Sequence, residues 1–480
     1  MHTNRRDFLR AAAATALAAR PLRAAERPNI VYILADDLGQ GDLGCYNAES
    51  KIPTPHMDRL AREGVRFTDA HSPSSVCTPT RYGILTGRYC WRTSLKQGVL
   101  NGESPYMLEP GRMTVAALLK KQGYRTAAIG KWHLGLGKDA KTDYAKTLRP
   151  GPLEAGFDSF FGIPASLDMP PYVFVENDRV EELPTAHVDD IREQRGIFWR
   201  GGPVGPKFRH KDVLPRLTES AVKYVDSQRG ARDPFFLYLP LTGPHTPWLP
   251  TPEFQGKAKA GPYGDFAAQV DDTVGQVMSA LERAGQARNT LLIMTSDNGA
   301  HWLPEEIARH NHRANASWRG QKADIYEGGH RIPFLARWPG RIRPGRVSDQ
   351  LTCLTDLMAT AAEITGLSLP RDAGEDSFSI LPAFTQNKAA TPVRDAIVHH
   401  SSMGLFSIRK GSWKLALGRG SWGFSEPRRI EPKAGEPEGE LHDLAEDPEE
   451  KNNLYLKRTD IVNQLTGLLD QYKGEGRSRG

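Results

Sequence analysis

Short apolar runs that break off into polar side chains constrain this chain most. Residues 30–35 (Ile-Val-Tyr-Ile-Leu-Ala) run into Asp36-Asp37, and residues 126–130 run into Lys131-Trp132-His133. Residues 235–239 (Phe-Phe-Leu-Tyr-Leu) lead to Pro244-His245, and residues 291–295 lead to Asp297-Asn298. Continuous apolar runs of this length suit strands buried on both faces, as in a parallel α/β sheet. Ligands of such sheets bind beyond the carboxyl ends of the strands, which is where these polar groups fall.

Helical patterns alternate with the runs. Thr114 is placed to cap a helix carrying Val115, Leu118 and Leu119 and stopped at Gly123. Val270, Val274, Val277, Met278 and Leu281 form one apolar helical face. The alternation predicts a large α/β domain with helices on both sheet faces. Beyond about residue 385 the texture changes. Residues 396–400, 404–409 and 413–417 read as short strands, followed by a charged, Pro-rich stretch (426–440), a further segment at 440–444 and a final helix over 460–472. The expected division is 1–25 leader, 26–384 catalytic domain and 385–480 smaller α+β subdomain.

The leader reading rests on Asn4-Arg5-Arg6-Asp7-Phe8-Leu9 followed by the apolar run 11–19, a twin-arginine export pattern with cleavage near Ala18 or Ala25. The run is too short and Ala-rich for a stable membrane span, and export to the periplasm is expected. The leader holds five arginines and one aspartate, so it supplies +4 of the formal +6, and the near-neutral remainder gives no reason to invoke nucleic acid. The four cysteines are too few for a disulfide scaffold, with Cys45 and Cys90 a candidate pair in an exported protein.

Cys77-Thr78-Pro79-Thr80-Arg81 carries the chemistry. Pro79 suits the first turn of a helix, which places Cys77 just before a helix N-terminus, where free N–H groups favour an anion. Arg81 is close enough in sequence to turn back towards it. A lone cysteine is ordinarily a buried thiol, but here C-T-P-T-R is followed by Leu85-Thr86-Gly87-Arg88, and Gly130-Lys131-Trp132-His133-Leu134-Gly135 lies further on. The set resembles the type I sulfatase family, in the branch of arylsulfatase A and N-acetylgalactosamine-6-sulfatase. The resemblance implies an alkaline-phosphatase-like fold with a large, mostly parallel sheet. It also implies that a formylglycine-generating enzyme oxidises Cys77 to formylglycine.

Asp36, Asp37, Asp297 and Asn298 are hard oxygen donors that suit Ca²⁺ or Mg²⁺ rather than zinc. One Asp-Asp pair alone is usually a solvated turn; acidic groups after two buried runs reverse that reading. The resemblance implies Ca²⁺, with the residue formed from Cys77 as a further ligand. It also implies that Lys131 and Lys322, the latter in Arg319-Gly320-Gln321-Lys322, hold the sulfuryl oxygens, that His245 protonates the departing alcohol, that His133 assists release of sulfate, and that Arg81 orients the formylglycine diol. A hydroxyl of that diol would attack sulfur and form a sulfo-enzyme intermediate.

Ser166, in Ser166-Leu167-Asp168-Met169-Pro170-Pro171-Tyr172, resembles an active-site serine of some relatives. A rim built from Phe198-Trp199-Arg200 to Lys207-Phe208-Arg209-His210, with His310, His312 and Arg313 as further candidates, would stack on a sugar and meet anionic groups. The expected substrate is a sulfated carbohydrate, such as a 6-sulfated galactose or N-acetylgalactosamine unit, with aryl sulfates as artificial substrates. The rival readings are a phosphonate monoester or phosphodiester hydrolase of the same superfamily and an inactive carbohydrate-binding homologue.

Overall fold

A computed structural model describes residues 27–386 and 391–480, so the twin-arginine segment lies outside the described residues. The apolar runs become β1 (Asn29–Asp36), β2 (Arg125–Lys131), β4 (Phe235–Pro244) and β5 (Thr290–Ser296), and Ser159–Ile163 adds a further strand, β3. These five run parallel in the order β5-β1-β4-β2-β3. They form the centre of a ten-stranded sheet whose flanking strands include antiparallel Phe334–Arg337 on one side and Val175–Glu176 on the other.

Alternation along β1 explains why its sequence is apolar throughout. Ile30, Tyr32 and Leu34 enter the core on one face, and Val31, Ile33 and Ala35 enter the core on the other. The helix Cys77–Thr86 and the helix Val115–Lys121 pack on the first face, and the helix Gly261–Arg283 packs on the second. Thr114 caps the middle one, its Oγ1 accepting from Ala117 N at 3.0 Å. Cys45 packs against the second core and Cys90 lies in the first, so the sheet separates the candidate disulfide pair, and all four cysteines are free.

A second, antiparallel sheet of Ala396–His400, Phe406–Lys410, Trp413–Ala416 and Glu440–Asp443 is covered by the helix Thr459–Gly474 through Val462, Leu465 and Leu469. Among the described residues no helix is long and apolar enough to cross a membrane.

Candidate active site

The carboxyl ends of the five parallel strands converge on one cavity. Asp36 ends β1, Lys131 ends β2, Ser166 follows β3, His245 follows β4 and Asp297 follows β5. Asp37 (φ 66°) and His133 (φ 58°) adopt left-handed backbone where the chain leaves β1 and β2, a conformation that costs non-glycine residues energy and recurs where a site constrains the chain.

Cys77 is the first residue of its helix, with extended Val76 as N-cap, one position inside the place the sequence suggested. Its Sγ lies 3.6 Å from Asp36 Oδ1, and burial raises its thiol pKa. Arg81, fully buried, donates to Asp297 Oδ2 (2.8 Å) and to the Lys131 carbonyl (3.0 Å), so it ties the helix to two strand ends.

A chain of polar contacts then crosses the cavity floor. Lys131 Nζ donates to Asp36 Oδ2 and to Ser166 Oγ, both at 2.7 Å. Ser166 Oγ lies 3.4 Å from His245 Nε2, which lies 3.8 Å from Asp37. Asp37 accepts from Lys322 Nζ (2.8 Å) and from Asn298 Nδ2 (2.7 Å). His245 Nδ1 is 2.6 Å from the Thr246 carbonyl, which holds a proton on Nδ1 and leaves Nε2 facing the site. His133 Nε2 donates to the Leu100 carbonyl (2.7 Å), and its Nδ1 is buried with no partner among the described residues.

The electrostatics are those of crowded carboxylates held by cations. Burial pushes the Asp36 carboxyl up, but Lys131, His245, Arg81 and Lys322 outweigh it and hold it well below the usual carboxylate range. Burial and the neighbouring Asp36 charge push Asp297 up to about 6. Lys322 is desolvated, yet the charges of Asp37 and Asp36 raise it. His133 is kept neutral by burial and by the charges of Lys131 and Arg81.

The residues fit a divalent cation. Ligand atoms of Asp36, Asp37, Cys77 and His245 lie within 4.8 Å of one another. The Asn298 side-chain oxygen is buried without a partner among the described residues, as an oxygen donor reserved for an ion would be. Carboxylate and amide oxygens suit a hard ion.

The cavity above this floor measures about 580 Å³. Cys77, Asp37, His133, Ser166, His245 and Lys322 line it, as do rim residues Phe198 and Arg200. Other rim expectations are corrected. Lys207 and Phe208 line a separate groove beside Glu182. His210 packs between Tyr172 and Trp199, with ring centres 4.5 and 4.7 Å away. His312 is buried and bonded to Asp42 at 2.7 Å, a core role. His310 packs on Trp302 (5.7 Å), and neither it nor exposed Arg313 lines the cavity.

Wall residues that carried no assignment from sequence include Asp168, Arg195, His301 and Phe424. His301 is held down at about 3 by burial and by the charges of Arg195 and Lys322. Phe424 comes from beyond the Phe406–Lys410 and Trp413–Ala416 strands and is anchored by Asp324, whose Oδ1 accepts its N–H at 2.7 Å. Only the stretch 297–301, where His301 follows a metal-type Asp-Asn pair, held a usable local signal.

A fold with parallel strands ending in this acid-and-lysine floor defines a hydrolase of anionic esters. The sulfatase family model matches residues 28–367, and this chain belongs to the sulfatase family, whose members hydrolyse sulfuric esters. It is 35% identical to an N-acetylgalactosamine-6-O-sulfatase of Bacteroides thetaiotaomicron, covering 93% of each chain. It is also 35% identical to human arylsulfatase A, across 94% of this chain and 86% of that one. A solved structure from work on glycosaminoglycan metabolism by Bacteroides thetaiotaomicron superimposes with a TM-score of 0.84 at 35% identity, covering 94% of this chain and all of that one.

Proposed function

We propose that this sulfatase is a periplasmic enzyme that removes sulfate from carbohydrate, with 6-sulfated galactose or N-acetylgalactosamine units as the substrate class. The reading takes residues 26–384 as the catalytic domain, 385–480 as a smaller subdomain and 1–25 as its twin-arginine leader. One observation carries the chemistry: Cys77, Asp37 and Lys322 line a single cavity at the strand ends, with Asp36, Lys131 and Asp297 in the buried polar network around them. The relatives named for N-acetylgalactosamine-6-sulfate support the substrate class.

In this reading Asp36, Asp37, Asp297 and Asn298 hold Ca²⁺, in preference to Mg²⁺, and a formylglycine-generating enzyme oxidises Cys77 to formylglycine. When in place, these two groups supply a Lewis acid for the sulfuryl group and a hydrated aldehyde as nucleophile. The protein's own residues do the rest. Lys131 and Lys322 bind the sulfuryl oxygens and offset the carboxylates as charge shifts in the transition state. His245 Nε2 is the nitrogen left to give a proton to the departing alcohol, with Ser166 Oγ positioned between it and Lys131. Nδ1 of neutral His133, unpaired among the described residues, is available to accept a proton during sulfate release. Arg81 keeps Asp297 and the Lys131 strand end in place around Cys77.

The test is turnover of 6-sulfated N-acetylgalactosamine and an aryl sulfate against an aryl phosphodiester and a phosphonate monoester, using enzyme co-expressed with the maturation enzyme. Sulfate ester hydrolysis should dominate. Phosphodiester or phosphonate hydrolysis faster by orders of magnitude would replace this reading with its superfamily rival.

A further inference from the structure

The cavity wall carries an ion pair, Asp168 with Arg200, that the reaction does not use. Asp168 is the third residue of the turn Ser166–Met169, closed by Met169 N donating to Ser166 O at 3.0 Å. The turn fixes Asp168 to the serine that contacts Lys131. Arg200, at the end of the strand Ile197–Trp199, reaches the same turn three times. Its backbone N donates to the Asp168 carbonyl (3.1 Å), and its Nη1 donates to that carbonyl (3.3 Å) and to Asp168 Oδ2 (2.5 Å). The Arg200 carbonyl in turn accepts from Tyr172 OH at 2.7 Å.

The pair is held rigidly but is only half satisfied. The Asp168 side chain is 6% exposed, and its Oδ1 has no partner among the described residues. A purely structural Arg–carboxylate pair is commonly bidentate and uses both oxygens. Arg200 remains 46% exposed, and its side-chain hydrogen bonds to the described residues all run through Nη1, which leaves other guanidinium N–H donors available. Both residues line the cavity, and the Arg200 guanidinium lies 5.1 Å from the centre of the Phe198 ring, which lines it too.

We infer that Asp168 and Arg200 are specificity-determining residues that bind adjacent hydroxyls of the sulfated sugar ring, with Phe198 against its C–H face. One hydroxyl donates to Asp168 Oδ1, and its neighbour accepts from Arg200. The inference rests on the carbohydrate reading above and deepens it: the substrate is a pyranose sulfate with a free vicinal diol, not any sulfate ester that fits. A site built to bond a hydroxyl discriminates strongly against an analogue lacking it, because its own polar groups are then left unpaired.

The experiment pairs substrate and protein changes. Steady-state kinetics would be measured on 6-sulfated galactose and on its 3-deoxy and 4-deoxy analogues, with an aryl sulfate as the reference for the chemistry. For the native enzyme, at least one deoxygenation should lower kcat/KM by about 10- to 100-fold, chiefly through KM. In Asp168→Asn and Arg200→Ala the same deoxygenation should cost less than about threefold. Equal losses on the parent and deoxy sugars in both variants would mark the pair as structural and overturn the inference. So would a native enzyme indifferent to both deoxygenations, a result that requires no variant to fold. A native enzyme that cleaves the aryl sulfate but none of the three sugars would overturn it while leaving the sulfatase chemistry standing. One that cleaves no sulfate ester would end both readings.

Discussion

Two buried polar clusters in this molecule contain the same kinds of groups and differ in what surrounds them. The network at the cavity floor sets Asp36, Asp37 and Asp297 against Arg81, Lys131 and Lys322. The second cluster lies where the small sheet meets the large unit and sets Asp69, Glu327 and Glu450 against Arg331, Arg409 and Lys414. Each also gathers possible metal donors, which in the second are His71, His330 and His399. The first opens on a cavity and leaves the Asn298 oxygen and His133 Nδ1 unpaired among the described residues. The second is closed. Glu327 is shared between Lys414 (3.1 Å) and Arg331 (3.0 Å), and Arg409 grips Asp69 at 2.7 and 2.9 Å. The His330 and His399 rings stack with centres 3.6 Å apart and planes within 13°. Nitrogen lone pairs lie in the ring planes, so parallel rings do not converge on one ion. The second cluster too leaves a nitrogen unpaired among the described residues, His399 Nε2, so neither buried charge nor an unpaired donor marks a reaction centre by itself; access does.

Substitutions should separate the two clusters by what they destroy. Cys77→Ala should lower turnover by about 10⁴-fold or more, as loss of a nucleophile does, with little change in melting temperature. Asp297→Ala should lose activity and Ca²⁺ binding together in calorimetry. Full activity in either variant would remove that residue from its role. Glu327→Ala should do the opposite. It strands Lys414 and Arg331 and should cost about 3–5 kcal/mol of stability by denaturant titration, while molecules still folded keep their kcat. Loss of kcat without loss of stability would merge the two clusters into one functional unit.

Lys322→Ala should reduce kcat/KM by about 10²- to 10³-fold, the scale of a lost transition-state contact. The smallest effect is on pH dependence. Burial holds His71, His330 and His399 below their ordinary pKa, with repulsion from His399 acting on His330 and from His71 on His399. Below about pH 6.5 the unfolded chain then binds protons that the folded chain does not, so stability should fall as pH drops from 7 to 5. Each histidine contributes up to about 1.4 kcal/mol per pH unit. His399→Asn should flatten that slope in melting curves taken at pH 5, 6 and 7, and an unchanged slope would show that the histidines are not its source.

How much could be read in advance follows the range of the interactions. The central strands were legible because each is apolar on both faces and stops at a polar residue, and the Thr114 cap because its partner is three residues away. The structure brings Asp36, Asp37, Cys77, Arg81, Lys131, His133, Ser166, His245, Asp297, Asn298 and Lys322 around one cavity, since strand ends of a parallel sheet share an edge. The Cys45–Cys90 pairing failed because sequence does not show which sheet face a loop cysteine joins. His312 failed because its partner, Asp42, is 270 residues away. Phe424 reaches the cavity through Asp324, 100 residues distant, and no local pattern marks such a contact.

The central claim is that position 77 reacts as an oxidised side chain beside a divalent ion. Its most direct test is mass spectrometry of the peptide containing residue 77, together with metal analysis, on active enzyme co-expressed with the maturation enzyme. The account predicts an aldehyde at position 77 in proportion to specific activity and Ca²⁺ retained with it. Full sulfatase activity from protein whose residue 77 is still a thiol, or which holds no divalent ion, would contradict it.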